Sequence, residues 1–455
     1  MSLFALHLED ASGEGTRLNE AELGGLDESE TATAEIADLR QEEAEIVEAD
    51  AEAQDLGERV DLAEELTETV EPVVTEGAGL DAASMKLLLT GMRRVAGRHG
   101  KHLVGRDVKM ESISAGVSGR REQTRIQFEN LKDTLKAAWE AIKAAFKKAW
   151  AKVKTWYIKT FDASKKLKAR AEKIRGRAES GSATIDKKKF SFSGAKSLAH
   201  NGKLTASDLV SGMGSVKKLA ENVLDTIKTD NVDDASDELV KLIGEEVSED
   251  NLRATVVKIH DTLTKGINVA GGGKPSGVSD KIVAGFGEDV TLKFSEVLPG
   301  DKVIVVATGK ETGEGDMVSK KIVAIRRSRV AFSGITDKVK EVSGEVETLA
   351  AGQVATVCDH VIDVADSIFD FKKGWENRDR SQEKVIKAID DAFREITKDK
   401  EVDPKVQRTA RSIAGAATDI IRRDASAKAA FVSYAMSTCN VALSYCERSM
   451  AQYKK

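Results

Sequence analysis

The sequence predicts a predominantly helical α+β protein in which a largely disordered acidic arm precedes the folded body. Three observations carry this expectation. Charge is segregated: residues 1–90 hold 25 acidic and 4 basic side chains, a net of −21, and residues 91–180 hold 24 basic and 9 acidic, a net of +15, within a chain whose formal net charge is only −6. Apolar residues recur at steps of three and four through 123–178 and again in the C-terminal third, which is the spacing of a helix face. Between 290 and 333 the pattern turns to alternating β-branched stretches broken by turn residues, the mark of a small antiparallel meander.

With 455 residues the chain exceeds one ordinary domain. A composition of 41% hydrophobic and 32% charged residues suits long helices with wet outer faces. No run of about 18 apolar residues exists, so a membrane-spanning helix is not expected. The first residues lack the cationic and apolar blocks of a secretory signal. Cys358, Cys439 and Cys446 are too few for a disulfide framework and are expected as reduced, buried thiols, the last two on one helical face.

Residues 1–78 read as the arm. The stretch from Glu42 to Glu52 has helix-forming Ala and Glu but almost no cationic partner at i, i+4, so self-repulsion leaves only transient helix. Residues 79–122 read as a basic linker with a short helix around Leu87–Val95, followed by the Gly/Ser stretch Ser114–Gly119. Residues 123–178 form a long basic amphipathic helix. Phe128, Leu131, Leu135, Trp139, Ile142, Phe146, Trp150, Val153, Tyr157 and Phe161 share one stripe, with Trp139, Phe146, Trp150 and Tyr157 as its packing face. Lys132, Lys136, Lys143, Lys147, Lys148, Lys152, Lys154 and Lys159 occupy the other faces, and Lys165, Lys166, Lys168 and Arg170 continue the basic run. These twelve cations are candidate phosphate contacts.

Residues 179–289 read as short helices around 206–213, 216–228, 235–247 and 250–270, with N-caps near Thr205 and Ser248. The meander at 290–333 is expected from strands at 290–294, 302–308, 321–325 and 329–332, with Leu298-Pro299-Gly300-Asp301 as a turn. Residues 334–455 return to helix. Ile386, Ile389, Phe393 and Ile396 share a face, and a final helix runs from the Asp403-Pro404 start to Tyr453.

The motifs of enzymatic chemistry are missing. In Gly271-Gly272-Gly273-Lys274-Pro275 the position that needs the first glycine of a phosphate loop is Asn268, and Pro275 stands where Ser or Thr would hold magnesium. Cys358 and His360 are two apart and on a helix point in different directions. His99 and His102 lack third and fourth ligands, and the six histidines are scattered. No enzyme, cofactor or metal is expected.

The acidic leader, the Trp-punctuated basic helix, Ser193-Gly194-Ala195-Lys196-Ser197-Leu198, the Leu298–Ile304 turn and strand, and the closing long helix together resemble the internal head (inner-core) proteins of large contractile-tail bacteriophages with jumbo genomes. The resemblance implies a precursor packaged in the prohead, trimmed by a prohead protease, and retained with the DNA among other capsid or core proteins or ejected with it. It implies a virion-interior location, with the host cytoplasm as the place of assembly. It also implies cutting after Glu in a small-or-aliphatic, any, Glu pattern. Matches end at Glu14, Glu20, Glu28, Glu48, Glu58, Glu64, Glu65, Glu68 and the Val-led Glu76, with Glu111 off pattern near the charge switch. Loss of residues 1–76 would remove 24 acidic and 3 basic side chains and free the lysines for non-specific double-stranded DNA. The alternative is a membrane-active protein whose Trp/Lys helix lies on an anionic surface and is latched by the arm. A third reading is an enzyme with a dispersed site around 290–333.

Overall fold

Helix α2 (Val117–Ser180) runs for 64 residues. In the computed structural model the described residues are 38–46, 48–49, 52, 55, 59, 62–63, 66–67, 69–74, 77–96, 113, 116–180, 184–200, 202–225, 254, 272–312, 317–335, 342, 344–372, 387 and 428–454. The chain divides into two compact units: Met1–Val47 with Lys152–Lys455, and Glu48–Ala151.

In the smaller unit, α1 (Ala82–Ala96) is the short helix expected around Leu87. Asp81 caps it by accepting the Ser84 amide at 2.7 Å. Met85, Leu88, Leu89 and Met92 form an i, i+3, i+4, i+7 stripe that packs with Val70, Ile113, Phe128 and Leu131. The chain before α1 is stitched to α2: the Leu80 amide donates to Thr124 Oγ1 at 2.8 Å and Arg121 Nε donates to the Gly77 carbonyl at 2.8 Å. Gly79, at φ 81°, runs so close to the Arg120 backbone that a Cβ would not fit. α2 therefore starts six residues earlier than its apolar stripe predicts.

In the larger unit, α3 (Ala206–Asp225) is one helix where the sequence suggests two. The expected cap is present as a reciprocal pair, the Asp208 amide donating to Thr205 Oγ1 and the Thr205 amide to Asp208 Oδ2, each at 3.1 Å. Strands β2 (Val290–Phe294), β3 (Lys302–Gly309) and β4 (Arg329–Gly334) form an antiparallel sheet in the order β2-β3-β4. The turn at Leu298–Lys302 is made by two successive left-handed residues, Gly300 at φ 73° and Asp301 at φ 56°. Val303, Val305 and Ala307 point to one face and pack with Ile282, Phe286, Phe294 and Ala331.

The strand expected at 321–325 is instead helix α4 (Met317–Arg327), which joins β3 to β4. Lys321-Ile322-Val323-Ala324-Ile325 alternates too briefly to distinguish the two periods. Val318, Ile322 and Ile325 are spaced by four and three, and the helix lies against β3, where a Cβ on Gly309 would run into the Ala324 carbonyl oxygen. Strands β1 (Lys189–Ser191) and β5 (Glu345–Glu347), both too short to register in the sequence pattern, pair antiparallel.

Among the described residues this unit also contains helices α5 (351–372) and α6 (428–450). Three tyrosines fasten the C-terminal region to backbone carbonyls: Tyr434 to Pro299 at 2.8 Å, Tyr445 to Glu347 at 2.6 Å and Tyr453 to Leu349 at 2.9 Å. All three cysteines are free and buried. Cys358 of α5 meets Cys446 of α6, whereas His360 faces α3 near Gly214, so the two do not form a pair. The helices expected at 235–247 and 250–270, the Ile386–Ile396 face and the Asp403-Pro404 start lie outside the described residues apart from Ala254 and Lys387, both helical.

Part of the arm is described. Residues 38–46 and 69–74 are helical, and Leu39, Ile46 and Val70 are buried. Within residues 38–46 Arg40 acts on Glu43, and other cationic partners along the segment are scarce, as the sequence indicates. Residues distant in sequence provide them.

Candidate functional site

The basic helix offers a candidate surface at its 152–170 stretch, and two elements engage different cations of this helix. The first is the arm helix, residues 38–46. Lys152 Nζ lies 2.9 Å from Glu45 Oε2, and Lys159 pairs with Glu42. Beneath these pairs the Trp156 indole N–H donates to the Leu39 carbonyl at 2.9 Å in a buried setting. On the far side Arg40 donates to Ser437 of α6, and Glu43 bonds Ser433. The groove is therefore walled by Lys152, Trp156 and Lys159 of α2 and by Ser433 and Ser437 of α6.

The magnitudes decide what holds this helix. Exposed ion pairs contribute about 0.2–1 kcal/mol each, and both pairs here are partly solvated. Burial of a Leu or Ile contributes about 1.5–3 kcal/mol, and Leu39 and Ile46 are each only 3% exposed. The apolar contacts and the indole bond hold the helix, and the charges set its orientation. Hydrogen bonding to Glu42, followed by its charge, raises the Lys159 pKa.

Glu43 is pushed up to about 7, chiefly by burial, against the opposing pull of Ser433 and Arg40. A carboxyl whose pKa is higher docked than free binds protons more readily when docked. Its contribution to docking is complete below the ordinary carboxylate range and is lost as pH rises through about 7. Hydrogen exchange of the 38–46 amides is therefore expected to be faster at pH 8 than at pH 6, after correction for intrinsic rates. Glu43→Gln should flatten that difference.

The second is the acidic face of α5. Lys168 Nζ lies 2.7 Å from Asp366 Oδ1, Arg175 Nε 3.0 Å from Asp359 Oδ1, and Lys217 of α3 2.6 Å from Asp363 Oδ2. The Asp366 bond raises the Lys168 pKa, and the Asp363 bond does the same for Lys217.

The candidate phosphate contacts therefore separate into groups. Arg170 is 7% exposed and donates to Glu447, Asn440 and Ser444 of α6, so it is a strut of the core and not a phosphate ligand. The basic periodicity that placed it among the solvent-facing cations continues, but the helix face it occupies turns inward. Lys152, Lys159 and Lys168 are engaged as described, Lys132 pairs with Glu129, and Lys165 pairs with Asp162 beside the Phe369 ring. Lys147, Lys148, Lys154 and Lys166 are exposed. The side chains of Lys136 and Lys143 lie outside the described residues.

Of the expected packing face, Tyr157 is fully buried and packs on Phe161 and Phe371 at ring-centroid distances of 5.9 and 5.4 Å. The side chains of Trp139, Phe146 and Trp150 lie outside the described residues. The sequence reading misses Trp156, which is also fully buried. Adjacent helical residues diverge by about 100°, so burial of both Trp156 and Tyr157 requires partners on two sides of α2. The Trp-Tyr dipeptide was the available signal. Among the processing candidates only Glu48 is described, exposed between buried Ile46 and Ala49. Glu14, Glu20, Glu28, Glu58, Glu64, Glu65, Glu68, Glu76 and Glu111 lie outside the described residues, as do His99 and His102.

Among the described residues no three His, Cys, Asp or Glu side chains come together as a metal site, and no helix is long and apolar enough to cross a membrane. The family of phiKZ-like phage internal head proteins matches the chain over residues 41–448. The chain belongs to that family. It is thus an internal head protein of phiKZ-like phages, a protein of the virion interior, and the family match takes in most of the arm helix together with the body. No curated protein and no solved structure matches it.

Proposed function

We propose that this internal head protein is packaged as a precursor whose acidic arm covers part of the basic helix, that a prohead protease removes arm residues, and that the exposed lysines then neutralise genome phosphates without reading sequence. The observation that carries this reading is the seating of Glu42 and Glu45 on Lys159 and Lys152. The opposed net charges of the first two 90-residue blocks support it over a longer range. Lysine is a point charge with no bidentate geometry, so contact with phosphate positions the protein without specifying a base.

The expected result is a duplex affinity that depends on salt and on the arm. With at least three phosphates neutralised, log K against log salt falls with a slope of about −3 or steeper. Full-length Leu39→Asp, which undocks the arm helix, should bind a mixed-sequence duplex more tightly than the native chain in fluorescence anisotropy. A flat salt response in both chains overturns the DNA role. Intact mass of the protein from phage particles tests processing separately, an N-terminus following a Glu being the expected result.

A further inference from the structure

Helices α5 and α6 lie side by side in opposite directions. At one end the Leu349 amide, just before α5, donates to Ser449 Oγ in the last turn of α6 at 3.2 Å. At the other end Lys428, which opens α6, has its Nζ 5.9 Å from the centre of the Phe371 ring in the last turn of α5. Between these contacts each helix carries a fully buried seam, with Val354, Cys358 and Val361 on α5 and Cys439, Ala442 and Cys446 on α6. Their steps of three and four place each set on one helix face. Where the seams meet, Cys358 and Cys446 share a thiol hydrogen bond from helix to helix. Both thiols are free and wholly buried. The third thiol, Cys439, stands two helical turns before Cys446 on the same helix, about 10 Å along the axis. It therefore cannot replace Cys358 as the partner of Cys446.

We propose that Cys358 and Cys446 are an oxidation site at which a peroxide installs a disulfide that ties α5 to α6 in the phage particle. In the first step one sulfur gives up its proton and attacks a peroxide oxygen. The O–O bond breaks, and a sulfenic acid and one water result. In the second step the other sulfur attacks the sulfenic sulfur. The S–S bond forms, the S–O bond breaks, and the departing hydroxide takes the second thiol proton as water. Two electrons pass from the thiol pair to the peroxide, so atoms and charge balance. The second thiol is already in contact with the first, which favours condensation to the disulfide over further oxidation of the sulfenic acid. Closing from hydrogen-bond contact to an S–S bond of about 2.0 Å asks only a small approach of two helices already held at both ends. The hydrogen bond to Cys358, followed by burial, raises the Cys446 pKa, while nearby Arg170 opposes the rise. Thiolate is the reacting form, so the bond forms slowly and follows local opening of the helix pair. A slow bond suits a protein of the virion interior, because a particle outside its host lies away from reducing thiols. The proposal is independent of the DNA-binding reading and of processing.

Thiol mapping of the full-length chain tests it. The protein is purified with a reductant, freed of it, and incubated with hydrogen peroxide while folded. It is then unfolded in the presence of iodoacetamide and followed by intact mass and peptide mapping. The expected result is the loss of two hydrogens, a linked peptide joining Cys358 to Cys446, and alkylation of Cys439 alone. The oxidised chain should unfold at a higher urea concentration than the reduced chain, and dithiothreitol should reverse the shift. Cys439→Ala should leave the linked peptide in place, whereas Cys446→Ala should abolish it. Protein taken from free phage particles and alkylated as they are opened should carry the same bond. Three alkylated thiols after peroxide treatment overturn the proposal. So does a bond to Cys439, or a sulfinic acid at Cys358 or Cys446 without the link. Reduced Cys358 and Cys446 in the particles overturn the formation of the bond in the virion. The first readout uses the native chain, so misfolding of a variant does not blunt the test.

Discussion

Replacing Arg170 by alanine is expected to destabilise the larger unit by about 3–5 kcal/mol, the range for removal of one partner from a buried ion pair. The guanidinium is 7% exposed and its Glu447 partner 18%, with bonds at 2.7 and 3.1 Å. Alanine would leave a mostly buried carboxylate uncompensated and deprive Asn440 and Ser444 of their donor. Urea denaturation followed by circular dichroism measures the loss. The double replacement Arg170→Met with Glu447→Leu should recover most of it, since a well-packed apolar pair is often no less stable than a buried ionic one. A change below 1 kcal/mol for the single variant would show that α2 and α6 do not depend on this strut.

Trp156→Ala is expected to cost a similar amount, about 3–5 kcal/mol for truncation of a fully buried aromatic side chain, and to release the arm as well. The ring packs edge-on against Tyr157 at 4.9 Å while its N–H holds Leu39. The two effects can be separated. Trp156→Phe retains most of the buried ring and loses only the hydrogen bond, about 1 kcal/mol. Limited proteolysis should cut within 38–46 faster in both variants, but only the alanine variant should show a large shift in the global transition. Equal protection of the arm in all three chains would contradict the placement of Leu39 on Trp156.

Much of this architecture was legible in the sequence because it rests on local patterns. The Met85–Met92 stripe, the Thr205–Asp208 cap and the Pro299-Gly300-Asp301 turn each declare themselves within a few residues. The misread elements are those decided by tertiary contact. Residues 321–325 have β-branched composition but become helical, with Ala324 fully buried. The segment 38–46 is repelled by its own charge and is held by burial of Leu39 and Ile46 and by Trp156, more than 100 residues away. Arg170 was counted as surface because the run around it is basic, and only the buried α6 face shows otherwise. The candidate surface was therefore visible in outline as a charged helix. Which cations are already committed could not be read from one strand of sequence.

The three phenol-to-carbonyl bonds that anchor the C-terminal region are neutral at both ends. Burial raises the Tyr434 and Tyr445 pKa values well above the ordinary phenol range, so neither ionises under mild conditions. Added electrolyte should consequently leave this closure intact while it screens the carboxylate contacts of the leader. Brine thus loosens the orientation of the front, which Leu39, Ile46 and the indole bond still hold, and leaves the neutral bonds at the back untouched.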